Sequence, residues 1–274
     1  MLDWFMGLDI WVQALLAGIM TWGFTAIGAA MVFFFKDIKH EVLTLMMGFA
    51  AGVMVAASFW SLLDPAIEAA TKNGSIAWLV VAIGFLLGCG FLFLADITIP
   101  HMHFGYDKEK EGIPTRLKKT ILLVFSITLH NLPEGLAVGV TFGAINSVSG
   151  SKVAATIGAL TLALGIAIQN FPEGAAVSIP LRQENMSRSK AFFYGQASAI
   201  IEPIGAVFGA LLVDSMKHIL PYALSFAAGA MIYVVVEELI PEAQNTENLK
   251  KAHYPVFGFI IGFTIMMVLD VALG

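Results

Sequence analysis

Apolar residues fill this chain in long blocks, each about as long as the run of roughly 20 residues that crosses a 30 Å hydrocarbon core as a helix. Eight blocks stand out, at about 9–35, 43–64, 76–99, 119–142, 153–180, 191–213, 222–241 and 255–273. Runs of that length exceed the strands of a buried sheet, so each predicts a helix. Polar residues collect in the short connections, the longest of which runs over about 100–118. The pattern therefore predicts an all-α membrane protein of eight transmembrane helices, with residues 1–274 forming one domain.

Composition agrees with the pattern. Of 274 residues 58% are hydrophobic and 13% charged, with a mean hydropathy of +0.82, which excludes an ordinary soluble domain. The opening "MLDWFMGLDIW" carries Asp3 and Asp9 but no basic residue, so it lacks the basic start of a secretory signal, and the first span is expected to be retained. Cys89, the single cysteine, sits inside span 3 and reads as a packing residue. Lys and Arg fall unevenly: 12 of the 15 lie on the connections 1–2, 3–4, 5–6 and 7–8. Because basic loops stay cytoplasmic, both termini are expected outside a cell membrane, the inner one in a bacterium. The 100–118 loop is then cytoplasmic.

Within two adjacent spans the oil is interrupted by the same polar words. "HNLPEG" at 130–135 aligns with "QNFPEG" at 169–174 at an offset of 39 residues, and Ala137–Val138 continues onto Ala176–Val177. Neighbouring spans run in opposite directions, so the repeat is inverted about an axis in the membrane plane. The pair Glu202–Pro203 falls at the centre of span 6. Three glutamates thus converge on one depth.

Residues three and four apart share a helix face. His130 and Asn131 project with Glu134, and Gln169 and Asn170 with Glu173. Pro133 and Pro172 remove the helical donors for the carbonyls of Leu129 and Ile168, and a freed carbonyl at membrane depth needs a partner or a cavity. A charged side chain at mid-bilayer costs about 2.5–3.5 kcal/mol on insertion scales, and the basic residues lie almost entirely in loops. A divalent cation would neutralise the carboxylates, and a set of imidazole, carboxylate and amide oxygen suits a borderline ion such as zinc.

These residues resemble the metal site of the ZIP (Zrt/Irt-like) family of divalent-metal transporters, and "HNLPEG…QNFPEG…EPIGA…EELIPE" is most similar to its GufA-type branch. The resemblance extends over all eight spans. It implies eight helices in a 3+2+3 inverted arrangement with both termini outside, and a binuclear site in the transport path. His130, Glu134, Gln169, Glu173 and Glu202 would form the first position; Asn131 and Asn170 would complete the second, bridged by the glutamates. Many relatives carry Asp where this chain has Asn170, which implies a weaker second position.

Span 2 ends in "SFWSLLDPAIE", which puts Asp64 and Glu68 at the expected outer mouth, either as cation collectors or as plain boundary carboxylates. On the inner side His101, His103, Glu237, Glu238 and Glu242 are candidates for a release station, weighed against ordinary interfacial polar residues. His40, His218 and His253 fall in loops without a partner motif, and "GFAAG" and "GQASA" offer small-residue faces for close helix approach. Those faces are compatible with a homodimer.

No G-x-x-x-x-G-K-[ST] loop is present, so transport would run on gradients. Expected partners are divalent ions (zinc first, with cadmium, iron, manganese or cobalt as alternatives) and the lipid bilayer; neither a resident cofactor nor a nucleic acid is expected. Two alternatives stay open. An intramembrane metalloenzyme would want a second imidazole, as in H-E-x-x-H, which the centre lacks; a metal sensor would bind without flux.

Overall fold

The computed structural model describes residues 2–35, 38–98, 119–147, 151–183, 185–215, 217–244 and 253–273. Every regular element among them is helical: α1 Leu2–Met6, α2 Ile10–Ala29, α3 His40–Ala57, α4 Asp64–Lys72, α5 Ala77–Thr98, α6 Lys119–Ala144, α7 Lys152–Gln183, α8 Arg188–Ala197, α9 Ile201–Ser215, α10 Leu220–Val234, α11 Ile240–Gln244 and α12 His253–Leu273. Short 3-10 segments follow α2 and precede α10. Seven helical stretches among the described residues are long and apolar enough to cross a membrane, beginning at Ile10, His40, Ala77, Lys152, Arg188, Leu220 and His253. The remaining predicted block, 119–142, is realised as the 26-residue α6.

Besides block 9–35, which tightens to a 3-10 turn at Ala30–Phe33, three of the predicted blocks are not uniform helices, and proline explains each of the three. Pro65 and Pro241 lack the N–H that would bond four residues back. The helix accommodates both by widening to π geometry just before them, at Ser58–Leu63 and Val235–Leu239. Block 191–213 breaks at residues 198–200, between α8 and α9. Pro203 cannot donate to Ala199, but it is tolerated in the first turn of a new helix, so α9 starts at Ile201 and carries Glu202 in its first turn. That turn brings the positive end of the helix dipole close to the carboxylate, with the Glu202 N–H itself donating to the Ala199 carbonyl at 3.0 Å. Pro133 and Pro172, by contrast, sit inside continuous helices.

The helices associate in two groups. α2 packs on α7 and α9, and α6 on α9; α3 packs on α12, and α5 on α10. Contacts of α3 with α7 and of α6 with α10 join the groups. Small residues set the spacing. A Cβ at Gly52 would overlap the Phe259 carbonyl of α12, and one at Gly229 the Phe85 carbonyl of α5. Likewise a Cβ at Gly135 would lie 2.5 Å from the Glu202 carbonyl oxygen, and one at Gly174 would overlap that of Thr25. The local sequences recur with the contacts: "FAAG" at 49–52 and 226–229, "GFLLG" at 84–88 and "GFIIG" at 258–262, "IGA" at 27–29 and 204–206.

Polar links across these pairs are few. Ser61 Oγ donates to Asp270 at 2.5 Å, joining the first π segment to α12, and Tyr233 donates to Asp96 at 3.3 Å. Cys89 Sγ donates to the Gly229 carbonyl at 3.2 Å, in keeping with a packing residue. Ser61→Ala would leave the Asp270 carboxylate without that donor. Interhelical hydrogen bonds in membranes contribute about 0.6–2 kcal/mol, so the variant is expected to lower the melting temperature in detergent by a few degrees. An unchanged melt would show that the link contributes nothing to stability.

Candidate metal site

The polar words of the sequence meet where α6, α7 and α9 face one another. Glu134, Gln169, Asn170 and Glu202 are each at most 1% exposed and form one connected network. Gln169 Nε2 donates to Glu134 Oε1 at 2.5 Å and to Asn170 Oδ1 at 2.7 Å. Asn170 Nδ2 donates to Glu202 Oε2 at 2.8 Å and to the Thr21 carbonyl of α2 at 3.4 Å. The glutamates stand near enough to repel each other. Thr21 and Thr25 lie beside Glu202, but their hydroxyls donate to the Gly18 and Thr21 carbonyls of their own helix.

The amide donors are thereby used, and acceptors remain. Glu134 Oε2, Gln169 Oε1, Glu202 Oε1 and the nearby Asn131 Oδ1 are buried with no hydrogen-bond donor among the described residues. A buried oxygen in that condition costs about 1–3 kcal/mol, more when charged. Four together, two of them carboxylate, form a region of negative potential that calls for a cation or protons.

A second feature adjoins the first. A small cavity of about 40 Å³ is lined by His130 and Asn131 of α6, Pro172 and Glu173 of α7, and Glu238 of the second π segment. Its volume is close to that of one water molecule, so it suits a single ion. His130 Nδ1 contacts the Glu238 carboxylate directly. The sequence placed these two residues in different roles, one at the centre and one on the release side. Their adjacency depends on the α6–α10 crossing, and the widened turn at Val235–Leu239 is the local signal that a side chain there is being re-aimed.

The structure thus places the expected residues in two neighbouring sets, Glu134, Gln169, Asn170 and Glu202 in the network and His130, Asn131 and Glu173 along the cavity. Among the described residues no three His, Cys, Asp or Glu side chains are gathered tightly enough to hold a metal ion as they stand. The amides Gln169 and Asn170 sit between the carboxylates and keep them apart. Thr21 is a contributor that the sequence did not single out, because a backbone carbonyl leaves no composition signal.

The outlying candidates are dispersed. Asp64 is exposed at the start of α4, and exposed Glu68 pairs with Lys72 at 2.5 Å one turn on, a surface arrangement. Glu237 shares the second π segment with Glu238. His101 and His103 lie outside the described residues, as does the side chain of Glu242. His40, His218 and His253 are exposed at helix or turn starts.

The family model described as ZIP Zinc transporter matches residues 105–270 of this chain. Zinc transporter ZIP11 of Homo sapiens is 41% identical over an alignment that covers 96% of this chain and 97% of its own length. Zinc transporter GufA of Myxococcus xanthus is 36% identical, with 96% and 98% covered. Zinc transporter ZIPB of Bordetella bronchiseptica is 37% identical, with 95% and 81% covered.

Proposed function

The chain belongs to the ZIP zinc transporter family, and from that premise we propose that it carries divalent metal ions, zinc first, across the membrane into the cytoplasm. The observation that carries this reading is the surplus of buried acceptors between α6, α7 and α9: four oxygens without donors around two carboxylates. A permanent ion pair would have ended that surplus with Lys or Arg. A substrate cation that arrives and leaves needs it open.

In this reading α6, fourth in chain order, brings the number of spans to eight, and the bundle is a 3+2+3 inverted repeat. The matched contacts support it: Gly52 on Phe259 recurs as Gly229 on Phe85, and Gly135 on Glu202 as Gly174 on Thr25. Both termini then face outward, as the basic loops require. Asp64 and Glu68 collect cations at the outer mouth, and His101, His103, Glu237, Glu238 and Glu242 serve release.

The ion is received in two steps, as in a binuclear site. His130, Asn131, Glu173 and Glu238 surround a space of one ion. Glu134, Gln169, Asn170 and Glu202 offer the second position once the Gln169 and Asn170 amides turn their oxygens toward the metal. Hydrated zinc exchanges its waters for these oxygens and the imidazole, with the carboxylates supplying the neutralising charge. Ligands bind metal deprotonated, so uptake falls as the outer medium is acidified.

Asn170 is the weak member, since its amide brings no charge and its Nδ2 is committed to Glu202. Affinity at such sites follows ligand charge count. Asn170→Asp is therefore expected to tighten zinc binding by about 10-fold or more while slowing release, read by calorimetry and by efflux from preloaded vesicles. Unchanged affinity would remove Asn170 from the site.

The test of the function itself is uptake into proteoliposomes, with zinc, cadmium, iron, manganese and cobalt competing. Saturable zinc uptake is expected. Zinc binding without flux would convert the reading to a sensor.

A further inference from the structure

A cavity of about 450 Å³ opens at the end of the bundle where α2 begins, α6 ends and α7 begins. Its described walls come from the end of α1, the α1–α2 turn, the start of α2, the turn after α6, α7 and α9, and none of the candidate metal ligands lines it. It therefore stands apart from the transport site.

The polar wall carries both signs of charge. Asp9 precedes α2 without a side-chain capping bond, so its carboxylate is not committed to the helix start. Lys152 Nζ donates to Asn146 Oδ1 at 3.2 Å and keeps further donors available. Gln13, which lines the same cavity, is only 3% exposed; its Nε2 donates to the Leu8 carbonyl at 2.8 Å, while its Oε1 has no donor among the described residues. A buried amide oxygen in a cavity wall calls for an N–H from whatever fills the cavity. A fitting ligand thus has an anion for Lys152 and an N–H-bearing cation for Asp9 and Gln13.

The apolar rim narrows the class. Trp11 of α2 and Leu211 of α9 line the cavity while 42% and 48% exposed, on the flanks of two membrane-spanning helices. The level is that at which spans begin, where headgroups lie and Trp is favoured. We propose that this cavity binds the headgroup of an aminophospholipid, its phosphate on Lys152, its primary ammonium between Asp9 and Gln13 Oε1, and its acyl chains along Trp11 and Leu211. A free phosphoethanolamine shares the polar chemistry but leaves the apolar rim without a partner.

The test uses the purified full chain with equal amounts of phosphatidylethanolamine, phosphatidylcholine and phosphatidylglycerol, and native mass spectrometry of the lipids retained. Phosphatidylethanolamine is expected to be retained about 10-fold over both others, because choline has no N–H to donate and glycerol has no cation. Gln13→Leu should erase that preference. Lys152→Gln, at an exposed position, should weaken retention without disturbing the fold and leave zinc uptake unchanged, which separates this site from the transport reading. Soluble glycerophosphoethanolamine should not displace the lipid. Equal retention of the three lipids, retention indifferent to Lys152→Gln, or displacement by the soluble headgroup would each overturn the proposal.

Discussion

Glu134→Gln is expected to cut zinc uptake by about 100-fold, the upper end of what loss of a supporting metal contact costs, and to leave the metal-free protein as stable as before or more so. The two halves of the result come from one atom. Glu134 Oε2 is buried with no donor, next to a second carboxylate at Glu202. A neutral amide of the same shape keeps the bond from Gln169 Nε2 and removes the repulsion between the two glutamates. The same change deletes a charge on which the proposed zinc site depends.

Two measurements decide it: uptake into proteoliposomes, and melting temperature with and without zinc. Wild-type protein should melt higher with zinc, since a ligand that binds only the folded state stabilises it. The variant should show no such rise. Glu134→Ala and Glu173→Ala are expected to collapse uptake as well; wild-type flux in both would sink the assignment of the site.

The second large effect is structural. Gly52→Val is expected to destabilise the protein by about 3 kcal/mol or more and to reduce the folded yield sharply, because overpacking a fitted interface forces backbone shifts. The cause is specific, since a Cβ at Gly52 would overlap the Phe259 carbonyl and approach the Phe263 amide, both backbone atoms of α12. Neither can rotate away. Gly90 is the contrasting case: a Cβ there meets nothing within 4 Å. Gly90→Ala in α5 should be neutral or stabilising by up to about 1 kcal/mol from helix propensity alone. Melting both variants in one detergent checks the pair, and similar losses would show that the close approach is not what limits stability.

Much of this protein is written locally and is therefore legible in the chain. Water and lipid act on each segment separately, so the apolar blocks alone predict where the helices lie; all eight blocks recur as helical stretches, with departures from α geometry at Ala30–Phe33 and near Pro65, Pro203 and Pro241. Family membership was equally legible, because "HNLPEG" and "QNFPEG" place proline, amide and glutamate where no packing need explains them. The wide turns before Pro65 and Pro241 had a local signal too, but a proline shows only that a donor is missing, not whether the helix kinks, breaks or widens.

The chain by itself determined the helices, the membrane as their solvent, and the family to which the protein belongs. Tertiary structure decided which polar residues touch. His130 reaches Glu238 across more than a hundred residues of sequence, Asn170 donates to Glu202, and Gln169 donates to Glu134. The opposed charges of Asp9 and Lys152 likewise come to line one cavity. Helical spacing fixes which side chains share a face within one helix. How helices cross is fixed by where glycine lets two backbones meet, and that needs both partners in place.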